Sequence, residues 1–383
     1  MRNQALVAFA GGGTGGHLYP LLAVAEELTK LLPGVRLVFF GTDRNLDRSV
    51  LGAFGSEWIR QGVRPAPRRP WQVPGFLIGW WTSVRTCRRF FHEHRPMTVL
   101  GSGGYASAPP IHEASRAGIP TALLNPDAVP GKANRFLGKR VQAVFTQWPE
   151  TAEHFNGRGE VQVTGCPVRP EFKRARRREG IDHFGLDPAK NVLLVTGASQ
   201  GARSVNQAVL AALPELERRG VWDRWQLLHL AGRKDQQEVA AVYRGFASGP
   251  RARVVGFSRH MAAALAAADL VLSRAGASTL AEITALGRPS ILMPYPHHRD
   301  LHQFANARVL VKLGASRIVP DRIDPQANGP VLAEALARLM NDREELARLA
   351  ASAQRIGTTN AARTIACRLL DMAGTSPDSG QSE

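Results

Sequence analysis

Three glycine-rich stretches and one histidine are the first candidates for chemistry. Gly11-Gly12-Gly13-Thr14-Gly15-Gly16-His17 follows the apolar run Leu6–Ala10 and opens an apolar-striped segment. Glycine adopts positive φ and lets a ligand approach the backbone closely. A helix start adds unpaired N–H groups and partial positive charge, which suits phosphate. That charge is worth only about 0.3–1 kcal/mol at an exposed site, so it assists binding rather than explaining it. The stretch lacks the Gly-Lys-Ser/Thr of a P-loop and is not a clean dinucleotide fingerprint; Asp43, a possible ribose acid, follows at a later spacing than usual. His17 reads as a general base near neutral pH, or as a packed or phosphate-donating histidine.

Gly101-Ser102-Gly103-Gly104-Tyr105-Ala106-Ser107 and Gly197-Ala198-Ser199-Gln200-Gly201-Ala202-Arg203 repeat the strand–loop–helix pattern. Ligands collect at such strand ends in open α/β sheets. Ser199 reads as a phosphate contact or as a helix N-cap. Thr279 and Glu282 match the Thr-x-x-Glu capping box, and Glu282 is alternatively an acceptor for two sugar hydroxyls. The run His297-His298-Arg299-Asp300-Leu301-His302-Gln303 is rich in donors, but its spacing fits no zinc pattern, so no metal is expected.

Residues 60–91 interleave Arg60, Arg64, Arg68, Arg69, Arg85, Arg88 and Arg89 with Trp71, Phe76, Leu77, Ile78, Trp80, Trp81, Phe90 and Phe91. Tryptophan flanked by arginine is the composition of a membrane interface, with rings at headgroup depth and cations on anionic lipid. Each cation near such a surface contributes about 1 kcal/mol. A core helix with solvated arginines is the alternative. Trp80-Trp81 beside Leu77-Ile78 favour lipid over stacked nucleic-acid bases.

The elements that must carry these loops are short apolar runs alternating with helical patterns. Runs in the first half are Leu6–Ala10, Arg36–Phe40, Thr98–Leu100, Thr121–Leu124, Val141–Thr146 and Val161–Val163. The second half has Val192–Thr196, Gln226–Leu230, Arg253–Val255, Leu270–Leu272, Ser290–Met293 and Arg317–Val319. Several are continuous rather than alternating, as in parallel strands buried on both faces. Leu18, Leu21, Leu22, Ala25, Leu28 and Leu32 form one helical stripe. The alternation predicts two doubly wound parallel-sheet domains, with a boundary near Gly165–Pro170.

The 383 residues suffice for two or three domains, and 21% charged with 44% hydrophobic residues excludes a disordered chain. Cys87, Cys166 and Cys367 have no ligand or disulfide-scaffold spacing, which fits a reducing compartment. Lys+Arg 49 against Asp+Glu 32 gives a formal charge of +17, which asks for an acidic partner. The N-terminal run does not read as a cleaved signal peptide, and no apolar stretch is long enough to span a membrane.

The motifs GGTGGH, GSGGYAS, VPGKANR, GCPVRPEF, GASQGAR and RAGASTLAEI…GRPSILMPYP…HQFANA occur in this order between about Ala8 and Ala315. Together they resemble the bacterial undecaprenyldiphospho-muramoylpentapeptide β-N-acetylglucosaminyltransferases of glycosyltransferase family 28, which turn lipid I into lipid II. The resemblance implies a GT-B fold, two Rossmann-like α/β domains facing across a cleft. It implies an acceptor- and membrane-facing domain over 1–168 and a UDP-sugar domain over 169–355. A helix over 356–373 would return to the first domain, and 374–383 would be a disordered tail. The donor would be UDP-N-acetylglucosamine, no cofactor would be required, and transfer would invert the anomeric centre. Partners would be a lipid-linked sugar acceptor, an anionic membrane surface and cell-wall synthesis proteins, with no nucleic acid. The location would be peripheral, on the cytoplasmic face of the cell membrane.

Residue by residue, the resemblance puts His17 as the base and Thr14, Gly15 and Gly16 in a substrate-facing loop. Gly103, Gly104 and Tyr105 would meet the acceptor. Arg169, Ser199 and Gln200 would meet the donor, Ser258 would pair with uracil through its backbone, and Ala277, Ser278, Thr279, Leu280, Ala281 and Glu282 would wrap the ribose. His302 and Gln303 would contact the sugar, and Phe76, Leu77, Ile78, Trp80 and Trp81 the membrane. Three positions depart from the family pattern. Asn125-Pro126-Asp127 replaces Glu-Gln-Asn, leaving Asp127 or Asn125 for the sugar; Ser258 replaces an aliphatic residue; His302 replaces a glutamine. Transfer to another lipid such as diacylglycerol, or UDP-N-acetylglucosamine 2-epimerisation, are the alternatives within this architecture.

Overall fold

The computed structural model describes residues 4–157, 159–197, 201–246, 249, 251–297 and 301–375. The chain divides into two units, Met1–Arg169 with Asn360–Glu383, and Pro170–Thr359. The first contains β1 (Leu6–Ala10), α1 (Gly15–Leu31), β2 (Arg36–Gly41), α2 (Asn45–Phe54), β3 (Glu57–Arg60), α3 (Val73–His94) and β4 (Thr98–Gly101). It continues with α4 (Gly104–Arg116), β5 (Thr121–Asn125), α5 (Lys132–Gly138), β6 (Ala143–Thr146) and β7 (Glu160–Val163). The second begins with α6 (Glu171–Arg174), α7 (Arg177–Phe184), β8 (Asn191–Thr196), α8 (Arg203–Arg218), β9 (Trp225–Leu230), α9 (Gln236–Arg244) and β10 (Ala252–Val255). It ends with α10 (Met261–Ala267), β11 (Leu270–Ser273), α11 (Ala277–Ala285), β12 (Ser290–Leu292), α12 (His302–Lys312), β13 (Ser316–Ile318), α13 (Pro325–Asn341) and α14 (Arg343–Ile356). The last helix, α15 (Ala361–Met372), belongs to the first unit.

Both sheets are parallel, with strand orders β3-β2-β1-β4-β5-β6-β7 and β10-β9-β8-β11-β12-β13. These are two Rossmann-like domains, in which the order reverses between β1 and β4 and again between β8 and β11.

Burial on both faces explains the continuous apolar runs. Val7 and Phe9 of β1 pack with α1 and α15, through Leu21, Leu28, Ile365 and Leu369. Their neighbours Leu6, Ala8 and Ala10 pack on the opposite face with Cys87, Phe90 and Phe91 of α3. Phe9 stacks on Phe39 of the adjacent strand at 4.8 Å. Each such buried side chain contributes about 1.5–3 kcal/mol. Leu32, the last residue of the expected stripe, is only partly buried.

Several strand ends shift. The run at Val141 begins its strand at Ala143, and Met293 and Val319 fall just beyond β12 and β13. β3 had no counterpart in the sequence reading: in Glu-Trp-Ile-Arg only Trp58 and Ile59 are apolar, and as an edge strand it is only half-buried. Residues 376–383, most of the expected tail, lie outside the described residues.

Candidate functional site

At the switch point of the first sheet, Ala10 of β1 is in register with Gly101 of β4, so the loops that follow lie side by side. His17 occupies the first turn of α1, and its Nδ1 lies 2.9 Å from the Ser102 carbonyl at the end of β4. A carbonyl only accepts, so Nδ1–H donates, and in the neutral ring the lone pair lies on Nε2. In that form the half-buried imidazole can accept a proton at Nε2. Gly104 makes the room: its φ is +71°, and a Cβ there would lie 3.3 Å from His17 Nε2. Tyr105 is half-buried, with its hydroxyl 3.2 Å from where a Cβ on Gly13 would sit. Thr14 and Gly16 are exposed, and Gly15 is buried.

The phosphate reading of this loop needs a correction at Gly13. Its N–H donates to both carboxylate oxygens of buried Asp47, at 2.9 and 3.0 Å, and is therefore committed within the protein. Asp43, the possible ribose acid, is engaged within the protein. It is exposed and pairs with Arg48 and Arg60, and the Arg48 hydrogen bond leads the effects holding its carboxyl below the usual range.

Asn125, at the end of β5, is fully buried. Its Nδ2 donates to the Asp127 carbonyl at 2.7 Å and its Oδ1 accepts from Asn134 Nδ2 at 2.7 Å. Asn125 therefore shapes the Asn-Pro-Asp turn from inside instead of presenting its amide, while Asp127 is half-buried. Arg169 stacks on Tyr19 of α1, its guanidinium 4.9 Å from the ring centre.

In the second unit, the loop after β8 is described only at Gly197 and from Gly201 onward; Ala198, Ser199 and Gln200 lie outside the described residues. Asn206, in the first turn of α8, donates to the Ala231 carbonyl at 2.8 Å and to Asp235 at 2.9 Å. Its Oδ1 accepts from His229 Nε2 at 3.0 Å, and the Tyr243 hydroxyl lies 2.9 Å from His229 Nδ1. Burial pushes His229 down to about 3, so this histidine is a neutral strut. Arg274, just after β11, pairs with Asp321 at 2.8 Å and donates to the Ser204 hydroxyl and the Met293 carbonyl. Burial alone would raise the Asp321 carboxyl. Hydrogen bonds from Ser204 and the Ile323 N–H, with the Arg274 charge, outweigh it and hold the carboxyl below its ordinary value.

Of the two readings of Thr279 and Glu282, the capping box does not form. α11 starts at Ala277 with Gly276 as N-cap, which puts Thr279 and Glu282 inside the helix. Ala277, Leu280 and Ala281 are buried, whereas Ser278, Thr279 and Glu282 are partly exposed. Ser258 accepts from the His260 N–H at 3.0 Å, which occupies its hydroxyl locally. His302 is half-buried at the start of α12, and Gln303 Oε1 accepts from the Tyr295 N–H at 2.9 Å. His298, Arg299 and Asp300 lie outside the described residues. Among the described residues no group of three or more His, Cys, Asp or Glu side chains is placed to hold a metal ion.

The model of the glycosyltransferase family 28 N-terminal domain matches residues 7–146, and that of the C-terminal domain matches residues 192–368. This chain belongs to glycosyltransferase family 28. It is 39% identical over 364 residues to the UDP-N-acetylglucosamine–N-acetylmuramyl-(pentapeptide) pyrophosphoryl-undecaprenol N-acetylglucosamine transferase of Moorella thermoacetica, covering 94% of this chain and 96% of that one. The transferase of the same name from Desulforudis audaxviator is 36% identical over 380 residues, covering 96% and 98%. In fold, the crystal structure of Acinetobacter baumannii MurG superposes with a TM-score of 0.75 at 24% identity, covering 96% of this chain and 99% of that one. UDP-GlcNAc 2-epimerase from Neisseria meningitidis shares the fold with a TM-score of 0.68 at 15% identity, covering 96% and 100%.

The family 28 N-terminal domain also carries the arginine- and tryptophan-rich stretch, which the structure splits. Cys87, Phe90 and Phe91 of α3 are core, so the half of the stretch around them is a packed helix. Trp71, Val73, Leu77, Ile78 and Trp81 are exposed, Ile78 and Trp81 at 65% each. Phe76 is half-buried, and Trp80 turns inward to meet His112 at 5.8 Å between ring centres. Among the described residues no helix is long and apolar enough to cross a membrane. Sequence reasoning missed Asp47, Arg44, Ser204 and Asp321; only the segments they bond to, the first glycine loop and the RAGASTLAEI run that begins with Arg274, carried a local signal.

Proposed function

We infer that this chain transfers N-acetylglucosamine from UDP-N-acetylglucosamine to the 4-hydroxyl of the muramoyl sugar of lipid I, giving lipid II in peptidoglycan synthesis. The observation that carries this reading is the 39% identity over 94% of the chain to a transferase of that name. His17 adds chemical sense to it.

In the proposed mechanism His17 Nε2 takes the acceptor hydroxyl proton while the hydroxyl oxygen attacks the anomeric carbon. The C1–O bond to UDP breaks in the same displacement, so configuration inverts. The Ser102 carbonyl keeps the His17 tautomer and stabilises the imidazolium that forms. Arg169, Ser199, Gln200 and the α11 start are proposed to meet the donor, with Glu282 on ribose hydroxyls and Gln303 and His302 at the sugar. Backbone and guanidinium donors fixed before reaction would stabilise charge on the departing diphosphate. On this reading no metal is required, in keeping with a sequence that contains no Asp-x-Asp.

Peripheral attachment at the cytoplasmic membrane face is proposed through Trp71, Leu77, Ile78 and Trp81, with exposed Arg68, Arg69, Arg85 and Arg89 over anionic headgroups. The reading is tested by incubating the purified chain with labelled UDP-N-acetylglucosamine and lipid I, diacylglycerol or no acceptor. Label in lipid II alone supports it. Label in diacylglycerol, or UDP released without any acceptor, favours the other-acceptor or epimerase reading.

A further inference from the structure

The loop before His17 is clamped by a buried carboxylate and an arginine at the start of α2. Asp47, in the first turn of α2, is completely buried. Its carboxylate accepts the Gly13 N–H on both oxygens, the Thr42 N–H at 2.9 Å and the Thr42 hydroxyl at 2.6 Å. Arg44 Nη1 donates to the Gly13 carbonyl at 3.0 Å, so both polar groups of Gly13 are held by the segment leading into α2. Gly12, at φ +155°, passes so close that a Cβ there would lie 2.3 Å from Asp47 Oδ2. A buried carboxylate is costly unless its lone pairs are filled, and charge-assisted bonds of this kind are the strong ones. The loop conformation is therefore dictated by α2.

Gly13 directly precedes Thr14, the N-cap of α1, and His17 is the third residue of that helix. One rigid turn connects the clamp to the imidazole. We propose that Asp47 is a positioning residue for proton transfer, clamping Gly13 so that His17 keeps its bond to Ser102 and presents Nε2 to the acceptor hydroxyl, with Arg44 completing the clamp. This inference rests on His17 being the base.

The test is a double-mutant cycle in the full chain, with kcat and KM for UDP-N-acetylglucosamine measured at saturating lipid I, alongside thermal unfolding. Asp47→Asn should lower kcat on the order of 100-fold, the usual cost of misplacing a reacting group by about 1 Å. KM for the donor should stay within about twofold, because the clamp acts on the transferred proton and not on uniform substrate binding. In a His17→Ala background the same Asp47→Asn change should cost less than about twofold, since residues acting through one group are not additive. Arg44 is exposed, so Arg44→Ala provides a variant expected to fold, with a smaller kcat loss that also vanishes beside His17→Ala. If Asp47→Asn fails to fold, the Arg44→Ala cycle decides. An equal loss in both backgrounds, or a wild-type rate in the single variant, overturns the inference. An unchanged rate in His17→Ala alone refutes the base reading first, and this inference with it.

Discussion

Gly104→Ala offers a test of the His17 geometry with a built-in control. Gly104 and Gly55 have the same φ, +71°, but opposite surroundings: a Cβ at Gly104 would lie 3.3, 3.6 and 3.8 Å from His17 Nε2, Cδ2 and Cε1, whereas a Cβ at Gly55 meets nothing within 4 Å. A left-handed alanine costs about 1–2 kcal/mol at either site. For a unit of 150–250 residues that is roughly 2–4 °C of Tm per kcal/mol, so both variants should melt a few degrees lower. Only the Gly104 methyl also occupies the space in front of Nε2. If a proton must pass there, turnover should fall on the order of 100-fold in Gly104→Ala and hold near wild type in Gly55→Ala. UDP affinity should be unaffected in both. The assays are calorimetric Tm, steady-state transfer to lipid I and UDP titration. Equal turnover in the two variants would refute the placement of Nε2 as the reacting nitrogen.

Three further outcomes follow from the same structure. His229 has a folded value of about 3, against about 6.5 for the unfolded chain, so its burial stabilises the fold fully above pH 6.5 and progressively less as pH falls toward 3. Unfolding free energy should drop by about 2 kcal/mol from pH 7 to pH 5 through this group, and His229→Gln should remove that part of the slope in denaturant titrations. Asp321 is likewise held below its ordinary value, so its contribution is present above the ordinary carboxylate range and lost as pH falls through the folded value. Arg274→Ala should destabilise the second unit by about 3–5 kcal/mol, because it removes the cation paired with that buried carboxylate, and should shift the acid limb of the Tm profile upward in pH. Ile78→Glu and Trp81→Glu should each weaken sedimentation with anionic vesicles by at least about tenfold, since each removes an exposed apolar side chain whose burial in the bilayer interface would contribute about 1.5–3 kcal/mol; unchanged sedimentation would exclude this face.

The strands and glycine loops were legible because their physics is local. A buried parallel strand needs a continuous apolar run, as in Leu6–Ala10, and Gly103 and Gly104 at positive φ mark the turn at the end of β4. The reversal between β1 and β4, which makes this turn a site, is a property of strand order that no single segment states. β3 was invisible because an edge strand needs no apolar run. Thr279 was misread because Gly276, a weaker sequence signal than Thr-x-x-Glu, starts the helix three residues earlier. Asp47 and Arg44 had no signal at all: they sit 34 and 31 positions from Gly13, and α2 brings them to the loop only after the sheet has formed. α3 misled by half, since apolar residues facing the core and facing outward have the same composition, and only helix phase separates Phe90 from Trp81.

The most direct trial of the central claim is His17→Ala assayed for transfer to lipid I at saturating donor, beside UDP titration of the same preparation. A positioned base contributes about 10²–10⁴-fold, so turnover should fall by that factor while UDP binds as in the parent chain. Lipid II formation at the parental rate would contradict it.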